Sequence, residues 1–300
     1  MKRLGSRLLE ARPRPAMLGG PPLGTMTAQG GSPAVLALHG FGATTQEVGV
    51  VVDIARRLGL ASHAPLLPGH GSSVLELAKT RYGDWHGAAE RALRELAAEH
   101  GRVIVIGSSM GSLLALDLAA SHPRWVAGVG VLGCPLRLGW PWPSLALAAV
   151  QLLRVPDFTL RKSGPDIRDP EARRTQVTYS EQPAHAGNEV RLAGKRVESR
   201  LGLVRCPALV AHGRHDHVCP VRNALRVHAQ LGTPTDLKEL LILERSYHII
   251  TRDVERELLA ARLERFVERV ADAARAASAW TTLPSDAGGA VAARGAVGLG

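Results

Sequence analysis

Aromatic residues are scarce in this chain, lysine is scarcer still, and cysteine is almost missing. Phe, Trp and Tyr make up 4% of 300 residues. The three cysteines, Cys134, Cys206 and Cys219, have no short paired spacing. An odd, scattered set excludes a disulfide frame and a cysteine-based zinc pattern, and it points to a reducing compartment, the cytoplasm. No run reaches the ~18–20 uninterrupted apolar residues that a membrane span needs. The basic N-terminus lacks the apolar centre of a secretory signal, because Glu10, Arg12 and Pro13 cut short the apolar run at Leu8-Leu9. The formal charge is +10, yet no basic run is interleaved with aromatics and no nucleic-acid module signature is present. No nucleic-acid partner is expected, and at most peripheral contact with an anionic membrane surface. The lysines are Lys2, Lys79, Lys162, Lys195 and Lys238; Arg supplies the rest of the positive charge. That bias reflects genome composition at least as much as function.

What is present is an ordinary globular core. Apolar residues make up 45% of the chain, and its length allows one large domain or two small ones. Residues 1–30 are rich in Arg, Pro and Gly without periodicity and read as a flexible leader. Met17 and Met26 are alternative starts. From about Thr281 the chain is mostly small residues, and 276–300 reads as a disordered tail. Between these ends, strand patterns alternate with helix patterns. Ala34–Leu38 is a buried strand, and Gln46–Leu58 has helical spacing. Ala61–Pro65 is a short strand. Asp84 reads as the N-cap of a helix with Trp85, Ala88, Ala92, Leu93 and Leu96 on one face. Strands follow at Val103–Ile106, Val126–Leu132, Ala208–His212 and Leu237–Leu243, and a last helix spans Arg252 to about Ala273. The alternation predicts a mostly parallel sheet flanked by helices, built from 31–134 and 201–275. Residues 135–200 interrupt it as an inserted helical cap over the C-terminal ends of the strands. The cap's apolar part runs from Trp140 to Leu153, with Ser144 as a candidate N-cap, and is too short to cross a bilayer.

The centre of the pattern is Gly107-Ser108-Ser109-Met110-Gly111. It follows an apolar strand and opens a helix, the context in which Gly-x-Ser-x-Gly forms a nucleophile elbow. Outside that context the motif would be a Gly-rich turn with a buried serine. A serine hydroxyl needs a base, and the base needs an orienting carboxylate. The strand at Ala208 runs into a loop carrying Asp216, and the strand at Leu237 runs into a loop carrying His248. Serine, acid, histidine is the chain order such a sheet requires. The competing acids Asp53 and Asp253 read as solvent-facing or capping residues. His212, His215 and His217 crowd Asp216, but their spacing fits no metal site, so no metal is expected. His100 and His122 read as helix C-terminal residues, and His70 as a loop-shaping one. An oxyanion needs two donors. The backbone N–H groups of Met110 and of Phe41, in His39-Gly40-Phe41-Gly42, are the candidates. Gly40, Cys134 and Trp140 are candidate pocket residues, although a cysteine placed like Cys134 is more often a small buried apolar side chain.

These segments together resemble the α/β-hydrolase superfamily. Leu67-Pro68-Gly69-His70-Gly71, Asp84-Trp85, Arg214-His215-Asp216 and Ser246-Tyr247-His248-Ile249-Ile250-Thr251 resemble its bacterial carboxylesterase and monoacylglycerol lipase branch. The resemblance covers about residues 33 to 272. It implies an α/β-hydrolase fold with an inserted cap. It points to a serine hydrolase of short- to medium-chain acyl esters or monoacylglycerols; no cofactor is expected, and the chain is expected to be a monomer or homodimer. Ser109 would be the nucleophile, Asp216 the acid, His248 the base, and Phe41 and Met110 the oxyanion donors. The same triad on another bond (thioesterase, carbon–carbon hydrolase or acyltransferase) and a non-catalytic binding protein are the alternatives. The polar chain before Ala34 gives no sign of an extra hairpin, so the sheet is expected to begin there.

Overall fold

A computed structural model describes residues 17–18, 24–138 and 158–281. The chain runs through β1 (Met17–Leu18), β2 (Met26–Ala28), β3 (Gly31–Leu38), α1 (Gly49–Arg57), β4 (Leu60–Ala64), α2 (Val74–Ala78) and α3 (Tyr82–His100). It continues with β5 (Val103–Ser108), α4 (Met110–Ser121) and β6 (Val126–Leu132). The insertion contributes β7 (Thr159–Arg161), α5 (Pro170–Thr175), β8 (Thr178–Tyr179), β9 (Glu181–Pro183) and α6 (Ala184–Glu198). Then come β10 (Ala208–Gly213), α7 (Arg222–Gln230), β11 (Lys238–Leu243) and α8 (Arg256–Thr281).

Among the described residues, seven strands form one sheet in the order β2, β4, β3, β5, β6, β10, β11. Every neighbouring pair is parallel except β2 with β4. The inner strands read as continuous apolar runs because helices cover both faces. Alternate residues still divide between the two sides. Leu36, Leu38, Val105 and Val129 pack with Trp85 and Leu93 of α3 and with Leu113 and Leu114 of α4. Val35, Ala37, Ile104 and Ile106 pack with Val51 and Ile54 of α1 and with Leu263 and Phe266 of α8. Truncating a fully buried Phe266 to alanine would cost ~3–5 kcal/mol.

Several expectations need correction. The leader is not wholly separate from the fold, since Met26–Ala28 forms an antiparallel edge strand and Met17–Leu18 pairs with Thr178–Tyr179. The sheet therefore does not begin at Ala34. A three-residue strand shows too little alternation to read, and its partner is β4, not the strand next in sequence. The tail is also shorter than expected, because α8 continues through Thr281. Asp84 is not the N-cap. The helix starts at Tyr82 with Arg81 as N-cap, and Asp84 sits at N3, accepting the Arg81 N–H at 2.8 Å. Asp253 is neither solvent-facing nor helical. It is fully buried and accepts N–H groups from Tyr247, Arg168 and Asp169 as well as from Val254.

The insertion is mixed rather than purely helical. β7 and β9 form an antiparallel pair, and α6 leans on the α4 side of the core. A fully buried Asp117 on α4 binds Arg200, just after α6, and lies 3.5 Å from Arg196. Trp140 and the apolar run that follows it to Leu153 lie outside the described residues.

Candidate active site

Ser109 stands between the end of β5 and the first residue of α4. Its backbone has φ 50° and ψ −120°, and it is the one non-glycine residue with positive φ among those described. Such a conformation costs ~1–3 kcal/mol and persists only where its surroundings enforce it. Two glycines make the turn feasible. A Cβ on Gly107 would strike the carbonyl of Gly111, and one on Gly111 would strike the carbonyl of Leu38. The Ser109 N–H donates to the Leu132 carbonyl at 2.8 Å, tying the turn to β6.

The loops after β10 and β11 bring two more side chains to this point. His248 Nε2 lies 2.9 Å from Ser109 Oγ, and its Nδ1 lies 2.7 Å from Asp216 Oδ2. An ionised carboxylate only accepts, so Nδ1 carries the proton and Nε2 is left to accept from the serine. Asp216 is held from all sides. Its Oδ1 accepts the N–H groups of Val218 and Cys219, each at 2.8 Å, and His212 Nε2 lies 3.0 Å from its Oδ2.

The electrostatics follow from these contacts. Burial opposes the charge on Asp216, but His248 and His212 outweigh it and hold the carboxyl well below the usual range. Burial works against protonating His248. The charge and hydrogen bond of Asp216, helped by Glu47 and Asp166, win and raise it above its ordinary 6.5.

Gly40 and Phe41 lie beside Ser109, where a Cβ on Gly40 would come within 3.0 Å of the serine Cβ. The Gly40 N–H is already committed to Glu47 Oε2 at 2.9 Å. Met110 opens α4, so its N–H is among those a helix start leaves without an intrahelical acceptor. A cavity of about 200 Å³ opens over the serine. Its walls are largely apolar, including Phe41, Leu138, Leu160, Val190 and Ile249, and the insertion supplies many of them. Cys134 is not among its lining residues. It is buried in the core with its thiol pushed up to about 12 by burial, and its neighbour Pro135 reaches the cavity instead. Trp140 lies outside the described residues.

Of the histidines around Asp216, His212 alone turns inward; His215 and His217 are exposed. His212, Asp216 and Cys219 each bring one ligand-type atom within 4.8 Å of the others. Those atoms already serve the hydrogen bonding around Asp216, and an ion there would compete with His248 for it. His70 packs edge-on to His39 and Phe41 and has its Nδ1 3.0 Å from the Pro68 carbonyl.

Three residues of the site escaped sequence reasoning. Glu47, 2% exposed, accepts from Gly40 and from Ser108 Oγ at 2.7 Å. Its signal was available: Val51, Ile54 and Ala55 follow it at i+4, i+7 and i+8, the spacing of one helical face, and all three are buried. Asp166, from the insertion, accepts the N–H groups of His217 at 3.0 Å and His248 at 3.2 Å, joining the two loops. Lys162, also from the insertion, lines the cavity. Neither of these two has a periodic signal, because each acts through long-range contacts.

A family model described as serine aminopeptidase, S33, matches residues 32–255. A thermostable monoacylglycerol lipase from Bacillus sp. (strain H-257) is 26% identical over 235 residues, covering 78% of this chain and 90% of that protein. A carboxylesterase from Bacillus subtilis (strain 168) is 25% identical over 246 residues, covering 81% of this chain and 96% of the relative. Among solved structures, one from work on the metagenome-derived lipolytic enzymes LipS and LipT superposes with a TM-score of 0.76. It is 30% identical and covers 85% of this chain and 100% of that one. The sheet order and its flanking helices are those of the α/β hydrolases.

Proposed function

The chain belongs to the serine aminopeptidase S33 family of α/β hydrolases, and from that premise we propose that it is a serine hydrolase of carboxylic esters. Ser109 is the nucleophile, His248 the general base and Asp216 the orienting acid. The observation that carries this reading is the unbroken path from Ser109 Oγ through His248 to Asp216, at 2.9 Å and 2.7 Å.

Ser109 Oγ attacks the ester carbonyl while His248 Nε2 takes its proton. The carbonyl oxygen becomes an oxyanion, and the N–H groups of Phe41 and Met110 donate to it. Preorganised donors of this kind contribute ~10²–10³ each in rate. His248 then hands the proton to the leaving alcohol. Water, activated by the same imidazole, releases the acid and restores the serine. Asp216 stays ionised throughout and stabilises the imidazolium that forms twice per cycle. No step calls for a cofactor.

The cavity and the relatives support this substrate class. The two relatives described above carry the names of ester hydrolases, although the family description names a peptidase. Largely apolar walls and a volume of about 200 Å³ suit a short or medium acyl chain. No helix among the described residues is long and apolar enough to cross a membrane. The test is a chain-length series of p-nitrophenyl esters alongside matched thioesters and anilides, with Ser109→Ala as the control. Turnover of butyrate to octanoate esters, lost in the variant, supports the reading. Turnover restricted to thioesters or amides would reassign the bond, and no turnover at all would favour a binding protein.

A further inference from the structure

Resting on the ester-hydrolase reading, we infer that the pocket carries an anion-recognition corner built on Lys162. Its preferred esters would bear a carboxylate near the scissile bond. Three observations meet there. Lys162 follows the short cap strand β7 and is held by its backbone, which donates to the Ser180 carbonyl at 2.9 Å. Its side chain lines the cavity that contains Ser109 and His248. Its Nζ lies 3.7 Å from where a Cβ on Gly42 would stand, in the loop flanking the serine.

Among the described residues the ammonium is under-compensated. It donates to Thr178 Oγ1 at 3.1 Å, and that hydroxyl in turn donates to the Gly42 carbonyl at 2.8 Å. An ammonium has three donors, and Thr178 accounts for one. The carboxylates that line the cavity are occupied. Glu47 accepts from Gly40 and Ser108, and Asp166 accepts from the loops of His217 and His248. Gln182 approaches the same corner, its Nε2 4.0 Å from the Gly42 Cβ position. A cation, an amide and a hydroxyl thus cluster against one wall of a largely apolar cavity. Burial of the ammonium, only partly offset by Glu47, lowers it to about 8, as expected for a charge whose water has been removed without a full replacement. A substrate carboxylate would supply that replacement as a charge-assisted hydrogen bond.

The carboxylate can sit on the acyl or the alcohol side of the ester, and the experiment separates the two. The probes are p-nitrophenyl hemiglutarate against p-nitrophenyl valerate, and 4-acetoxybenzoate against phenyl acetate. Each is read as the ratio of kcat/KM for the charged over the neutral ester. In the wild-type enzyme at pH 7 at least one ratio is expected to be about one or higher, because a purely apolar pocket would penalise the charge heavily. Lys162→Met should lower that ratio by roughly tenfold or more, and Lys162→Arg should keep most of it. The pair whose ratio responds identifies the side of the ester. Wild-type ratios that both fall below about one hundredth would overturn the inference without any variant. So would a Lys162→Met enzyme whose ratios do not change. An enzyme that cleaves the neutral esters yet fails these tests keeps the parent reading; one that cleaves no ester loses both.

Discussion

The Oε2 of Glu47 accepts the N–H of Gly40 at 2.9 Å, so a buried carboxylate pins the loop that faces Ser109. Its Oε1 accepts from Ser108, the residue before the proposed nucleophile, at 2.7 Å. One side chain thus spaces the two segments that carry the proposed oxyanion donors. Removing it with Glu47→Ala leaves two buried donors unmet, at ~1–3 kcal/mol each. We expect a lower melting temperature and a fall in kcat larger than any rise in KM, with Glu47→Gln milder in both. Thermal melts and steady-state kinetics on one activated ester check this. A Glu47→Ala enzyme with unchanged kcat would show that the loop holds itself.

The acid limb of kcat/KM should have its midpoint above 6.5. The proposed base works only when neutral, and His248 is raised above that value. Asp166 and Glu47 contribute to the rise because negative charge favours the imidazolium. Asp166→Asn removes one such charge, so the base stays neutral to lower pH and the limb should move to the acid side. Asp216 is held well below the usual range and adds no limb near neutrality. A pH profile of wild type and variant settles the direction. A shift toward alkaline pH would contradict the sign.

Asp216→Asn should reduce kcat by on the order of 10³–10⁴ while the protein remains folded. An amide can present its N–H₂ to His248 Nδ1, which favours the tautomer that cannot accept from Ser109. Rates measured beside a circular-dichroism melt separate chemistry from stability. Retention of most activity would point to a different acid.

Gly111→Ala should prevent a soluble fold or cost more than the ~1–3 kcal/mol of ordinary overpacking. Its Cβ would meet the backbone carbonyl of Leu38, which has no rotamer to escape by. Expression yield and melting temperature report the outcome. A variant that melts like wild type would mean that the elbow is looser than described.

Alkylation should leave activity intact. Cys134 and Cys219 are buried, and burial pushes the Cys134 thiol up to about 12 and the Cys206 thiol up to about 11. Thiolate is the reactive form, so iodoacetamide at pH 8 should modify the native enzyme slowly. Rapid inactivation with labelling at Cys219, beside Asp216, would show that this loop opens.

Much of this molecule could be read from its residues because the relevant signals are local. Strands such as Val103–Ser108 and Val126–Leu132 are short apolar runs bounded by turns, and the strand–serine–helix context of Gly107–Gly111 is contiguous. Asp216 and His248 each sit in a loop directly after a strand, so chain order alone nominated them. Apart from Glu47, whose helical spacing was legible, what escaped depends on long-range pairing. β2 is three residues long and joins β4 across the intervening β3 and α1. Asp253 spends its carboxylate on N–H groups as far away as Arg168, which no helical periodicity encodes. Asp166 and Lys162 lie in the insertion, where local pattern is weakest and contacts with the core decide the structure.

The most direct measurement is the intact mass of the protein after treatment with a fluorophosphonate, followed by peptide mapping. One adduct per chain is expected, on Ser109, formed with parallel loss of esterase activity, absent from Ser109→Ala and strongly slowed in His248→Ala. Stoichiometric labelling at another residue, or a folded wild-type protein that takes no label, would contradict it.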